Sequence, residues 1–153
     1  MDAQQMTWHW YTFDEMPMGT LYEYLRLRQQ VFIIEQRSIY PDLDGVDQMA
    51  QHLLVFDQTG KIAACLRLVP PDDENAQPHI GRVLVAPEFR GNKLAHPLID
   101  EGLKHSRELF PGQPICIGAQ TYLKNFYIKH GFEPVGEPYD DAGVEHIDMQ
   151  TSS

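Results

Sequence analysis

The segment richest in chemistry is Val83-Leu84-Val85, which runs through Pro87-Glu88-Phe89 into Arg90-Gly91-Asn92-Lys93-Leu94-Ala95. A β-rich run feeds a turn, and the turn opens a helix carrying Leu94, Leu98, Leu103 and Phe110 on one side. A helix N-terminus offers unpaired backbone N–H groups and the positive end of the dipole, and small residues let a phosphate approach the main chain. Arg90 and Lys93 concentrate two cations at this turn, in a chain with 12 basic and 22 acidic residues and a formal net charge of -10. The chemistry such a turn could do is to hold a phosphate or diphosphate. Read alone, it is also an ordinary strand-to-helix connection with solvated basic side chains. Asp42, Asp44 and Asp47 are most simply a solvated acidic loop, and the acidic balance permits a cationic substrate. Cys65 and Cys116 sit inside apolar runs and read as small buried hydrophobes, with neither a disulfide framework nor metal-ligand spacing around them.

The elements that must position these residues follow from periodicity and turn chemistry. Thr7 to Phe13 reads as a short aromatic edge strand. Thr20 to about Ile34 reads as a helix opened by a Thr20/Glu23 capping box, with Leu21, Leu25, Arg28, Phe32 and Glu35 on one face. An acidic loop, Pro41 to Gln51, leads to strands His52–Asp57 and Lys61–Val69, joined through Gln58-Thr59-Gly60. A Pro- and Asp-rich loop, Pro70 to Pro78, precedes a strand from His79 to Ala86. After the helix come a strand Pro114–Ala119, a helix Thr121–His130 stopped by Gly131, and a hairpin of Phe132–Tyr139 and Val144–Gln150. The fold class is α/β (α+β): a mixed, mostly antiparallel sheet of six to seven strands flanked by helices, with at least one strand–helix–strand crossover. A length of 153 residues fits one domain, 1–153.

Composition excludes some functions. An acidic chain weighs against a nucleic-acid partner, no apolar run approaches a membrane span, and the N-terminus is not a secretory signal. A cytoplasmic setting is the default. The aromatic first strand makes a homodimer reasonable.

The Arg90–Ala95 segment resembles the acyl-CoA-binding signature of the GNAT acetyltransferase superfamily, Arg/Gln-x-x-Gly-x-Gly/Ala, with Lys93 standing at the usual middle glycine. Asn125-Phe126-Tyr127-Ile128-Lys129-His130-Gly131-Phe132 resembles the second signature of that superfamily. The order Arg28-x-x-Val31-Phe32-x-x-Glu35-Gln36, Asp42-x-Asp44-x-x-Asp47, His52, Ile80-Gly81-Arg82-Val83, Ala119-Gln120 and Pro138…His146-Ile147-x-Met149 is similar to the ElaA-like branch. The stretch from Arg28 to Asp47 is also similar to acyl-homoserine-lactone synthases.

The resemblance implies a GNAT fold and an N-acetyltransferase that moves an acetyl group directly from acetyl-CoA, its co-substrate, to a primary amine without a metal. The acceptor would be a small-molecule amine or a protein amine. The resemblance gives Val83, Leu84 and Val85 to the pantetheine arm, and Arg90, Gly91, Asn92, Lys93, Leu94 and Ala95 to the diphosphate. Gln120 takes the place of an amide that holds pantetheine. Tyr127 falls on the general-acid tyrosine, and its ordinary alternative is an amphipathic tyrosine packing the helix. For the general base, His79 occupies the strand position that related enzymes fill with a glutamate, and it also reads as a loop-edge histidine. Glu35 borders the acceptor site in this fold, and it also reads as a partner for Arg28. His52, Arg82 and His146 are further acceptor-side candidates. Arg82 lies three residues beyond His79, so the two share a face only if the strand is distorted. Two other functions remain open: a non-catalytic acyl-CoA-binding sensor, and an acyltransferase using longer acyl-CoA or acyl-carrier donors.

Overall fold

A computed structural model describes residues 5–152. Its strands are β1 (Thr7–Thr12), β2 (Gln51–Phe56), β3 (Ile62–Val69), β4 (His79–Val85), β5 (Cys116–Gln120), β6 (Phe132–Asp141) and β7 (Val144–Thr151). They form one sheet in the order β1-β2-β3-β4-β5-β7-β6. Every neighbouring pair is antiparallel except β4 and β5, which are parallel because the chain crosses between them through α2 (Ala95–Leu109). β1 is the edge strand expected of it.

The sheet is covered on both faces. On one side α2 buries Leu98, Ile99 and Leu103, each removal from water being worth about 1.5–3 kcal/mol. Gly102 sets how closely this helix sits. A Cβ there would come within 3.0 Å of a Leu66 methyl on β3 and 3.2 Å of an Ile80 methyl on β4. On the other side α1 (Met18–Arg28) and the segment after it bury Tyr24, Val31 and Phe32 against Leu54, Cys65 and Leu84. Cys65 is fully buried, and Cys116 is partly buried with its thiol donating to Gln77 Oε1 at 2.8 Å.

Three local expectations change. The first helix begins at Met18 after Pro17 and carries no side-chain cap. Glu23 instead accepts from Arg26 at 3.0 Å, because the helix has already started two residues before Thr20. Beyond Arg28 the helix widens into π-helical turns, Gln29–Glu35, with the Gln36 N–H donating to the Val31 carbonyl at 3.3 Å. The helix expected over Thr121–His130 is a 3₁₀ turn, Thr121–Leu123, followed by a short α3 (Lys124–Ile128).

The acidic loop is the largest correction. Asp42 and Asp47 are buried, and fully buried Arg28 bridges them: its Nη1 donates to Asp47 at 2.8 Å and its Nε to Asp42 at 3.2 Å. Arg67 on β3 donates to Asp44 at 2.7 Å and to Asp47 at 3.0 Å, and Arg82 on β4 to Asp42 at 2.7 Å. Three carboxylates thus meet three guanidiniums, which makes burial of the loop affordable where a lone buried carboxylate would be expelled. Burial alone would raise the Asp44 pKa, but the hydrogen bonds and charge of Arg67 outweigh it and hold the carboxyl at about 2. Asp47 is lowered in the same way by Arg28 and Arg67 against its own burial.

Candidate active site

β4 and β5 pair at only two positions, His79 with Cys116 and Ile80 with Ile117, and then part. The parting coincides with a bulge on β4. Cys65 faces Leu84 but Arg67 faces Gly81, so β4 carries one residue too many, and Arg82 takes a left-handed φ of 49°. The extra residue inverts the strand: Ile80 packs in the core under α2, whereas Leu84, four residues on, packs under α1. The distortion also turns Arg82 toward Asp42 and the Tyr40 ring, whose centroid lies 5.4 Å from the guanidinium carbon.

A cavity of about 660 Å³ opens where the strands separate. One wall is β4 from Ile80 to Val85. The Ala86 N–H donates to the Ala63 carbonyl at 2.8 Å, so by alternation Leu84 directs its backbone polar groups to β3, and Val83 and Val85 direct theirs to the gap. At the end of this wall come the 3₁₀ turn Pro87–Phe89 and then Gly91 and Lys93, both left-handed at φ 91° and 59°. Lys93 therefore adopts the backbone shape for which a glycine is the natural residue. The Asn92 N–H is taken by the Phe89 carbonyl at 3.3 Å, which removes it from the expected diphosphate donors. The amides of Gly91, Lys93, Leu94 and Ala95 have no intramolecular acceptor among the described residues, and the Leu94 side chain is buried in the core. Pro97 lies in the first turn of α2, where its missing N–H costs nothing.

The opposite wall comes from β5 and α3. Gln120 lines the cavity, as does Tyr127, which is 5% exposed and packs edge-to-face on Phe126 and Phe132. The Tyr127 hydroxyl makes no hydrogen bond among the described residues, and burial pushes its pKa well above the ordinary phenol range, so it keeps its proton.

The third side is formed by the end of the π turns and the last hairpin. Glu35, at the end of the π turns, lines it and pairs with Arg90: Nη2 to Oε1 at 2.7 Å and Nη1 to Oε2 at 3.1 Å. Its partner is thus Arg90, while Arg28 is spent on Asp42 and Asp47. His146 on β7 stands opposite Gln120 and also lines the cavity. Its Nδ1 lies 2.8 Å from the Val144 carbonyl, which can only accept, so the neutral ring carries its proton on Nδ1 and presents a lone pair at Nε2. Tyr139 and Asp141 complete this end. Buried Ser38 donates to the Ala142 carbonyl at 2.6 Å, fastening the segment after the π turns to the β6–β7 turn.

Two expected site residues stand elsewhere. His79 is outside the cavity lining, its Nδ1 3.0 Å from the Gln77 carbonyl at the start of β4. His52 is fully buried, with Tyr24 Oη at 2.7 Å from Nδ1 and the Asp47 carbonyl at 2.9 Å from Nε2. Burial lowers its pKa, so it is a neutral member of the α1-side core. Nothing in the sequence local to Ser38, Tyr139 and Asp141 signals a site; the π turns and the long last hairpin bring them to the cavity.

The parted parallel strands beside a helix start with free amides carry a family as well as a geometry. A family profile described as an acetyltransferase (GNAT) domain matches residues 23–153. The chain belongs to the GNAT family. Protein ElaA of Escherichia coli is 36% identical over 137 residues, 88% of this chain and 89% of ElaA. The crystal structure of that ElaA superposes with a TM-score of 0.89 over 96% of this chain and 99% of its own. An acyl-CoA N-acyltransferase from Pseudomonas aeruginosa superposes with a TM-score of 0.91 at 32% identity, covering 96% and 99%. A CoA-dependent acyl-homoserine lactone synthase, solved with SAM and isopentyl-CoA, shares the fold alone: TM-score 0.79 at 16% identity, covering 96% and 83%. As a GNAT protein the chain is an acyltransferase, with an acyl-CoA as co-substrate. Its residues would fit such a molecule: a β4 edge no longer paired with β5 for the amide groups of pantetheine, and free amides with Arg90 for the diphosphate. Among the described residues, no helix is long and apolar enough to cross a membrane.

Proposed function

We propose that this GNAT enzyme is an N-acetyltransferase that takes its acetyl group from acetyl-CoA and passes it directly to a primary amine. The observation that carries this reading is Tyr127: a neutral phenol on the wall of the cleft, with no partner of its own, beside the unpaired β4 edge. Acetyl-CoA supplies an activated carbonyl as a thioester. The amine nitrogen bonds to that carbonyl carbon, the carbon–sulfur bond breaks, and Tyr127 gives its proton to the departing sulfur. Val83 and Val85 orient the pantetheine arm through their gap-facing backbone groups, and Gln120 adds a side-chain amide. On the acceptor side His146 Nε2 takes the amine's proton, and the carboxylates Glu35 and Asp141 favour a cationic acceptor at the mouth, whether a small molecule or a protein amine. Neither thiol fits a covalent relay, since burial pushes the Cys65 pKa up to about 12 and raises that of Cys116.

A longer acyl donor is the second reading. It is favoured by the apolar depth of the cavity at Val31, Phe32 and Phe126. One experiment decides between donors and tests for turnover: release of free CoA thiol from acetyl-, butyryl- and octanoyl-CoA across small amines, polyamines and peptides with free N-termini or lysines. Fastest turnover with acetyl-CoA supports the first reading. CoA binding with no thiol release from any pair would instead make the protein an acyl-CoA sensor.

A further inference from the structure

Arg90 is the one side-chain cation among the described residues lining both the β4 end of the cavity and the diphosphate turn, and in the free protein it is fully committed. Its two terminal nitrogens grip Glu35 in a bidentate pair at 2.7 and 3.1 Å, and its Nε donates to the Val85 carbonyl at 3.2 Å. Each of those partners has another use. The Val85 carbonyl belongs to the edge that would hold pantetheine, and Glu35 belongs to the acceptor end. A single guanidinium thus closes the donor edge and occupies an acceptor-side carboxylate at once.

We propose that the Glu35–Arg90 pair is a latch that acyl-CoA must open, so that loading the donor is what frees Glu35 to receive a cationic acceptor. This rests on the reading that the Arg90–Ala95 turn holds the CoA diphosphate. A diphosphate is the stronger acceptor for a bidentate guanidinium, with more charge and more oxygens than one carboxylate. Glu35 is therefore a competitor of the co-substrate for Arg90 and an acceptor-binding group only after losing that competition. The side chains are 47% and 40% exposed, so the pair is of the weak, solvent-screened kind, suited to being exchanged. Opening it also returns the Val85 carbonyl to the donor edge.

The test is a double-mutant cycle on CoA binding, read by calorimetry with no acceptor present: wild type, Glu35→Gln, Arg90→Ala and the pair combined. Glu35→Gln keeps the shape of the side chain and removes the competing charge, so CoA should bind about two- to fivefold more tightly. Arg90→Ala should bind more weakly. In the combined variant the gain from Glu35→Gln should vanish, because there is no guanidinium left to release. Unchanged or weaker CoA binding by Glu35→Gln overturns the latch. So does a gain that persists without Arg90, since that is simple charge repulsion. Wild-type affinity in Arg90→Ala refutes instead the placement of the diphosphate, and is distinguishable because it appears in the other arm of the cycle.

Discussion

Lys93→Gly should make the free protein more stable and its hold on CoA weaker, two opposite effects of one substitution. Lys93 has a φ of 59°, a conformation that costs a residue with a Cβ about 1–2 kcal/mol. Glycine removes that cost and returns about 0.5–1 kcal/mol through the greater entropy of the unfolded chain. The side chain is exposed and makes no ion pair among the described residues, so no contact is lost. The balance is a stabilisation of about 0.5–1 kcal/mol, which for a domain of this size raises Tm by about 2 °C. Differential scanning calorimetry of the ligand-free variant beside wild type measures it. Calorimetric titration with CoA at several salt concentrations measures the second effect: a lost cation should weaken binding and flatten its salt dependence. A variant that melts at or below the wild-type temperature would refute the strain argument. One that keeps the wild-type affinity and salt slope would remove Lys93 from the diphosphate site.

Tyr127→Phe should lower kcat on the order of 10²-fold in a steady-state thiol-release assay with little change in CoA affinity. Its unfolding midpoint should match wild type within about 0.5 kcal/mol, since no intramolecular hydrogen bond goes with the hydroxyl; a wild-type kcat with chemistry rate-limiting excludes the phenol as acid. His146→Gln should lower kcat/KM on the order of 10²-fold in the thiol-release assay while His79→Gln leaves it near wild type, and the reverse result would assign the base to the start of β4. Acid should destabilise the fold in two stages, followed by urea midpoints. His52 is held below its unfolded value of 6.5, so the unfolded chain gains a proton that the folded chain refuses, and stability falls as pH drops below about 6.5. Asp44, held at about 2 against 3.8 unfolded, adds a second loss between those values, and a midpoint that stays flat from pH 7 to 5 counts against a neutral buried His52.

The strand–turn–helix of residues 83–109 could be read from the chain because it depends on neighbours in sequence: an apolar run, a break, a helical stripe. Tyr127 stands out only through the resemblance to a known signature, since periodicity alone makes it a packing residue. The features that the sequence conceals depend on partners far away. Asp42, Asp44 and Asp47 look like a solvated loop until Arg28, Arg67 and Arg82, from three different elements, are seen to converge on them. The β4 bulge has no residue signature, so whether His79 and Arg82 share a face was undetermined. Nor does anything in Gln29–Glu35 distinguish a π turn from an α turn, although that widening places Glu35 within reach of Arg90. Helical arithmetic supports only one of the two readings of Glu35, the pairing with Arg28, and the chain abandons that arithmetic one residue after Arg28.

The Ser38–Ala142 hydrogen bond joins residues 104 positions apart, and both lie on segments that frame the proposed acceptor end. On that reading acceptor choice is not the property of either loop by itself. A relative's acceptor preference cannot be transplanted by exchanging residues 36–41 or the β6–β7 turn alone, because each graft would arrive without the counterpart it is tied to. The turn at residues 87–95 has ties of its own, since Arg90 grips Glu35 at 2.7 and 3.1 Å and Glu88 pairs with Lys61, so it too would arrive without its counterparts if exchanged alone. Under the proposed reading both substrates answer to segments that are split across the sequence and inherited only together.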